Sequence, residues 1–378
     1  IDMKIVFTGG GTGGHFYPLI AVAEQVNSII DKENIADTSL YFFSNDPYDK
    51  KLLYENSLEY VNIPAGKVRI YPSLKNITDI FVTFGGIFQA LIKLASLYPD
   101  VVFSKGGFSS FPTVFAARIL SIPIIVHESD SVPGRVNQWA GKFAKRVAVS
   151  YKQNADFFDQ EKIIHTGQPI RSDLESPTKE GAHEFLGLDR DLPVLWIIGG
   201  SQGARIINQA VEESLSELLP KYQIVHQAGP SNYEELKTLT GTILGANEYK
   251  NRYHLFPYLN KLSMKMIAGV ADIVVTRAGS MLFEIANWRI PAVVIPITNS
   301  NKNHQIKNAY NFAREGAGVV IEENNLSDSQ LIFEINRIFD NEEVRRNMKK
   351  GAEDFDIPDA AQNIAEEIIG IGLRHNTE

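Results

Sequence analysis

"TGGGTGGHFYP", residues 8–18, decides the fold. Five of these residues are glycine: Gly9, Gly10, Gly11, Gly13 and Gly14. Glycine costs conformational entropy unless the backbone must turn tightly or approach something closely. Ahead of the run, "KIVFT" (4–8) has the β-branched and aromatic content of a buried strand. Behind it, Ile20, Ala23, Val26 and Ile30 recur at helical spacing, with Pro18 expected in the first helical turn, where its missing N–H costs little. The glycines therefore form a strand-to-helix turn, whose exposed N–H groups and helix N-terminus suit an anion.

Outward from this turn the same unit repeats. "SLYFFSN" (39–45), "DVVFSKGG" (100–107), "PIIVHES" (123–129) and "RVAVS" (146–150) read as strands separated by helix-length segments. After the polar stretch "HTGQPIRSDLESPTKEG" (165–181) the theme restarts with "PVLWIIGG" (193–200) and a helix over 202–219. "YQIVHQAG" (222–229), "YHLFPYL" (253–259), "ADIVVTRAG" (271–279) and "IPAVVIPI" (290–297) follow as strands. Alternating strands and helices predict an α/β protein with parallel sheets covered on both faces. The expected organisation is an N-terminal domain over 1–164, a linker over 165–181 and a second doubly wound domain over 182–354. A C-terminal helix over 355–373 is expected to pack back on the first domain.

The chain has 378 residues, 44% hydrophobic and 22% charged, with a formal net charge of -8. That fits a globular protein of two or three domains and offers no global basic field for nucleic acid. With no cysteine there is neither a disulfide framework nor a thiolate site. No charged-then-apolar signal segment precedes the first strand, so export is not expected.

Three strand-to-helix turns offer anion sites: Gly9–Gly14, Gly199–Gly203 with Ser201, and Ala278–Ser280. Gly9, Gly11 and Gly14 also fit the G-x-G-x-x-G of a dinucleotide site, but that motif wants an acidic residue about 20 positions on. The nearest candidate after the next strand, Asp46, stands too far away. A P-loop is excluded because His15 stands where its lysine would be. The eight histidines lack metal-binding spacing, and "DRD" (189–191) and "DFD" (354–356) sit in polar, solvated contexts, so no metal site is expected. Glu284, one turn into the helix after "TRAGS", can accept both hydroxyls of a ribose, although a helix-dipole role explains it equally well. "NSNKNHQIKNA" (299–309) places many neutral amides after a strand end, which suits sugar hydroxyls or an ordinary turn.

Taken together, "GGGTGGHFYP", "HESDSVPGRVN" (127–137), "TGQPIR" (166–171), "GGSQGARIIN" (199–208), "RAGS" with Glu284, and "NHQIKNA" (303–309) resemble the MurG family, in order and over essentially the whole chain. The resemblance implies the GT-B glycosyltransferase fold, two Rossmann-like doubly wound domains facing a cleft. It implies inverting transfer of N-acetylglucosamine from UDP-N-acetylglucosamine to the C4 hydroxyl of the muramyl sugar of lipid I, giving lipid II for peptidoglycan. Thr12, Gly13 and Gly14 would face the reacting sugar and the acceptor diphosphate. Asp130 and Asn137 would join the substrate-binding set, as would Arg171, Ser201 and Gln202 on the donor nucleotide side. Leu259 would read uracil through its backbone. Ser280, Met281, Leu282, Phe283 and Glu284 would hold donor phosphate and ribose, and Gln305 the hydroxyls of the transferred sugar. His15 and Glu128 are the acid–base candidates. No cofactor and no metal is implied; helix N-termini and Arg171 would stabilise the departing UDP. The chain departs from the family in "HESD" for "HEQN", "TGQP" for "TGNP", and an interval from "RAGS" to the glutamate that is one residue shorter. Another UDP-sugar transferase of the same fold, with a different acceptor, is the alternative.

A lipid acceptor implies a peripheral enzyme at the cytoplasmic face of the bacterial membrane. Residues 77–98, "ITDIFVTFGGIFQALIKLASLY", carry only Asp79 and Lys93 as charges. Ile80, Phe84, Ile87, Phe88, Leu91 and Ala95 follow helical spacing, and Phe81 and Ile92 widen the stripe. Lys67, Arg69, Lys75 and Lys93 flank it. The uncharged run from 80 to 92, interrupted by Gly85–Gly86, is too short to span a bilayer, and the stripe is expected to pack in part on the sheet and in part to form an interfacial patch.

Overall fold

The computed structural model describes residues 3–35, 37–67, 75–298 and 303–375, with the side chains of 75 and 76 outside the description. The chain divides into two units: Ile1–Ser172 with Ile357–Glu378, and Asp173–Asp356. Residues 165–172 thus belong to the first unit and 173–181 to the second.

Among the described residues, the first unit is built on a parallel sheet of seven strands, β1 (Met3–Thr8), β2 (Thr38–Ser44), β3 (Leu58–Asn62), β4 (Val101–Ser104), β5 (Ile124–Glu128), β6 (Arg146–Val149) and β7 (Ile163–His165). Their order is β3-β2-β1-β4-β5-β6-β7, with each pairing parallel. Order reverses between β1 and β4, which makes their carboxyl ends the switch point where open α/β sheets bind ligands. One face is covered by the Gly13–Glu33 helix and the Ala360–His375 helix, whose Ile364, Ile368 and Ile369 join Phe16, Leu19 and Ile20 in one apolar cluster. Pro18 lies inside the first helix as its sixth residue, past the first turn in which it was expected. It removes the helical bond to the Gly14 carbonyl.

The second face carries the Lys75–Leu97 helix, continuous through Gly85 and Gly86. Gly86 is required there because an added Cβ would come within 1.8 Å of the Pro64 carbonyl oxygen. The stripe is divided, as expected, between a packed and an exposed part, with Phe81 and Ile92 on the exposed side and more of the stripe exposed than packed. Gly86, Ala90 and Leu94 face the core, whereas Ile80, Phe81, Phe84, Phe88 and Ile92 are exposed. By length and composition, Ile77–Leu97 is long and apolar enough to cross a membrane, contrary to the short interrupted run read from the sequence.

Among the described residues, the second unit has a sheet of six strands, β8 (Val194–Ile198), β9 (Gln223–Gln227), β10 (Tyr253–Phe256), β11 (Ile273–Thr276), β12 (Ala292–Val294) and β13 (Gly318–Val320). The order β10-β9-β8-β11-β12-β13 is again parallel, with its switch point between β8 and β11. The helix after β8 begins at Arg205, three residues later than expected, behind an extended Ala204.

Candidate active site

In the first unit, β1 and β4 lie side by side, so their following loops meet. Gly10 and Gly11 have φ of +125° and +83°, which L side chains rarely adopt. A Cβ on Gly11 would also press within 2.9 Å of the Phe108 ring. The helix then starts at Gly13 with an extended Thr12 that makes no side-chain cap, and with no acidic residue in its first turn. Its first N–H groups have no partner within the helix, and its dipole favours an anion.

Thr12 instead uses its hydroxyl on His15, 3.0 Å from Nδ1. With the proton on Nδ1 and donated to Thr12, Nε2 is left as an acceptor. Burial, with Lys105 acting in the same sense against Asp130, pushes the imidazole down to about 4. His15 is therefore neutral at neutral pH.

Glu128 ends β5. One carboxylate oxygen accepts the Asp130 N–H at 2.9 Å, and the other accepts the Gly134 N–H and Asn137 Nδ2, both at 2.9 Å. Burial, then Asp130, raises its pKa, opposed by Lys105 and by these donors. The carboxylate thus organises the 128–137 loop. Asn137 also donates to the His127 carbonyl at 3.0 Å, so its side-chain amine acts inside the loop. Asn154 Nδ2 holds the Asp130 carbonyl at 2.8 Å. In "TGQPIR", Gly167 offers its carbonyl to His127 Nε2 at 3.0 Å. The Arg171 guanidinium stacks over the Tyr17 ring, 4.6 Å from its centroid, which places Arg171 beside the first helix.

In the second unit, Ser201 and Gln202 stand in the loop after β8, and both are exposed. Gln227, at the end of β9, ties that loop to Leu259: its amide donates to the Gly200 carbonyl at 3.0 Å, and its Oε1 accepts the Leu259 N–H at 2.8 Å. Only the Leu259 carbonyl is then left to a base. Ser280 precedes the Met281–Asn287 helix. Leu282 and Phe283 are buried, 0% and 2% exposed, so their side chains belong to the core and only their backbone can serve a ligand. Met281 and Glu284 are half-buried. Asn308 Nδ2 donates to the Ala278 carbonyl at 3.1 Å and holds this loop to the His304–Arg314 helix. Gln305 Oε1 accepts the Ile297 N–H at 3.1 Å. Residues 299–302 of the amide-rich stretch lie outside the described residues.

Several residues that shape these loops were not singled out from the sequence. Lys105, His226, Gln227 and the Arg277–Glu323 pair are the main ones. Arg277 Nη2 lies 2.7 Å from Glu323 Oε1, and Glu323 Oε2 accepts the Thr298 N–H at 2.9 Å. His226 spans Tyr253 and Asn208, at 2.9 and 3.0 Å. A legible signal existed: Lys, His and Gln stand at the ends of otherwise apolar strands, where a buried polar group needs a purpose. Among the described residues, no group of three His, Asp or Glu stands together as a metal set.

The glycosyltransferase family 28 N-terminal domain matches residues 5–149, and the glycosyltransferase family 28 C-terminal domain matches residues 194–364. The chain belongs to glycosyltransferase family 28. One similar family member, from Bacillus cereus, is 36% identical over 366 residues, 96% of this chain and 99% of the relative. It is named UDP-N-acetylglucosamine--N-acetylmuramyl-(pentapeptide) pyrophosphoryl-undecaprenol N-acetylglucosamine transferase 2. A relative of the corresponding name from Clostridium botulinum is 34% identical over 354 residues, 93% of this chain and 95% of the relative. Among solved structures, MurG of Acinetobacter baumannii has a TM-score of 0.73 at 22% identity, covering 97% of this chain and 99% of its own. MnaA of S. aureus with UDP has a TM-score of 0.70 at 16% identity, covering 100% and 98%. These structural likenesses establish the GT-B type of fold that the family shares.

Proposed function

We propose that this family 28 enzyme transfers N-acetylglucosamine from UDP-N-acetylglucosamine to the C4 hydroxyl of the muramyl sugar of lipid I, giving lipid II and UDP with inversion at the anomeric carbon. The observation that carries this reading is the match, at 36% identity and over nearly all of both chains, to a relative named for that transfer.

The assignments of residues are our own. Thr12, Gly13 and Gly14 hold the acceptor side, where the helix start favours the pyrophosphoryl group. His15 Nε2 takes the proton of the attacking hydroxyl as the oxygen bonds to the anomeric carbon. An anion bound at the same helix start would raise the imidazole from its low resting pKa and improve it as a base. Glu128, whose oxygens already accept three donors, positions the loop that carries Asp130 and Asn137. On the donor side, Ser201, Gln202 and the 280–284 turn hold the diphosphate. Glu284 accepts the ribose hydroxyls, Leu259 the uracil, and Gln305 donates to the sugar. Arg171 is the cation we assign to the departing UDP.

The exposed apolar face of the Lys75–Leu97 helix supports a peripheral seat at the cytoplasmic face of the membrane that holds the acceptor. Of its expected basic flank, Lys67 and Lys93 are exposed, while Arg69 and the Lys75 side chain lie outside the described residues.

Incubation with UDP-N-acetylglucosamine and a lipid I analogue, followed by mass analysis, is the test. A product heavier by one N-acetylhexosamine, with equimolar UDP, is expected. Turnover of the donor onto other acceptors but not onto this one would favour a different transferase of the same fold.

A further inference from the structure

Lys105 is the most unusual charge in the first unit. It follows β4 directly and its N–H bonds the Thr8 carbonyl at 2.9 Å, so it stands beside Gly9 at the switch point. A Cβ built on Gly9 would lie 3.1 Å from Lys105 Cβ. The side chain is 1% exposed, and among the described residues its Nζ has no hydrogen-bond partner. A buried ammonium without a partner forfeits several hydrogen bonds to water and is not retained for stability. Four titratable groups act on it or feel it: His15 from the first helix, His127 and Glu128 from β5, and Asp130 from the following loop. Glu128 already holds three other donors, so it does not take up the ammonium's hydrogen-bonding capacity.

An unpartnered cation buried beside a helix N-terminus, at a switch point, is complementary to an anion of more than one charge. We propose that Lys105 is a binding residue for the pyrophosphoryl group of the acceptor, completing with the Thr12–Gly14 helix start a site that the glycine loop alone only begins. The proposal rests on the transfer reading above. It commits to the acceptor's pyrophosphoryl group because Lys105 adjoins the glycine loop assigned to the acceptor, whereas the donor assignments other than Arg171 belong to the other unit.

The resting site also has a pH signature. Burial lowers the ammonium to about 8 against the pull of Glu128 and Asp130. Above that pH the free enzyme holds a neutral amine, and affinity for the acceptor should fall.

The test compares wild type with K105M, a variant of similar length that lacks the charge. The acceptor KM is expected to rise about 10- to 100-fold, with the UDP-N-acetylglucosamine KM within about twofold. Inorganic pyrophosphate should inhibit wild type competitively against the acceptor, and K105M far less. The acceptor KM of wild type should climb above pH 8, and that of K105M should stay flat. Because K105M removes an uncompensated buried charge, its melting temperature should not fall. An unchanged acceptor KM, or an equal rise in the donor KM, would overturn the proposal. Should K105M fail to fold, pyrophosphate inhibition of wild type decides: no weakening across pH 7 to 9 overturns it. If wild type transfers no sugar at all, the transfer reading has failed. Calorimetric binding of pyrophosphate, weaker in K105M than in wild type, then judges Lys105 separately.

Discussion

His15 combines a ring that burial holds neutral with an Nδ1 engaged by the Thr12 hydroxyl, which leaves Nε2 for the acceptor. Replacing it with alanine should lower kcat by about 10²–10⁴-fold if it is the base. A rise in acceptor KM with kcat kept would move that role to another group. On the donor side, Glu284→Ala and Gln305→Ala should each cost about 1–3 kcal/mol of donor recognition, roughly 5- to 150-fold. Wild-type kinetics in both variants, with unchanged melting, would remove these residues from the site. The motifs singled these residues out, because loops at the carboxyl ends of parallel strands are where such sheets bind ligands. Lys105, His226 and Gln227 escaped notice for the opposite reason. At the end of an apolar strand a lone polar residue marks a buried group that needs a purpose, but the sequence pattern does not say which neighbouring loop it serves. Leu282 and Phe283 show the same limit from the other side: they fall within a binding motif, yet their side chains are core.

At the scale of elements, the strands with two covered faces were readable as apolar runs. Three strands that were missed, β3, β7 and β13, all lie at sheet edges. Their patterns are mixed or half-buried, because an edge strand has a neighbour on one side only. The Lys75–Leu97 helix has the exposed patch that Phe81 and Ile92 led us to expect, but its packed side is not the one the apolar stripe marks. Most of its larger apolar residues point outward, and its packed side is made by Gly86, Ala90 and Leu94, with Gly86 at the point where the helix lies against the Pro64 backbone. Phe81→Ser with Ile92→Ser, at positions 71% and 54% exposed, should leave melting nearly unchanged. The pair should weaken binding to anionic vesicles and slow turnover of vesicle-embedded lipid I, while sparing a short-chain soluble analogue. Equal loss on both substrates would count against the docking face.

At the scale of the molecule, buried histidines couple stability to pH. His226 is fully buried, and burial lowers it to about 3; burial also lowers His127 well below its usual value. A histidine held neutral in the fold binds its proton more readily once unfolded. Stability is therefore complete above about pH 6.5 and is lost as pH falls below it, by about 1.4 kcal/mol per pH unit for each such group. Melting temperature should drop steeply from pH 6.5 toward 4, and His226→Gln should shallow the slope. A flat profile would mean that these rings gain solvent before unfolding.

The division of the chain has an outcome in time. The second unit is one continuous stretch, Asp173–Asp356, inserted into a first unit whose sequence closes only with the helix at Ala360–His375. During synthesis the inserted unit has all its strands outside the ribosome while its host still lacks a helix. Until that helix emerges, the Phe16–Leu19–Ile20 side of the glycine-loop helix stands without the isoleucines that cover it. The nascent chain thus passes through a stage in which an apolar face of the first unit is open to chaperones or premature association.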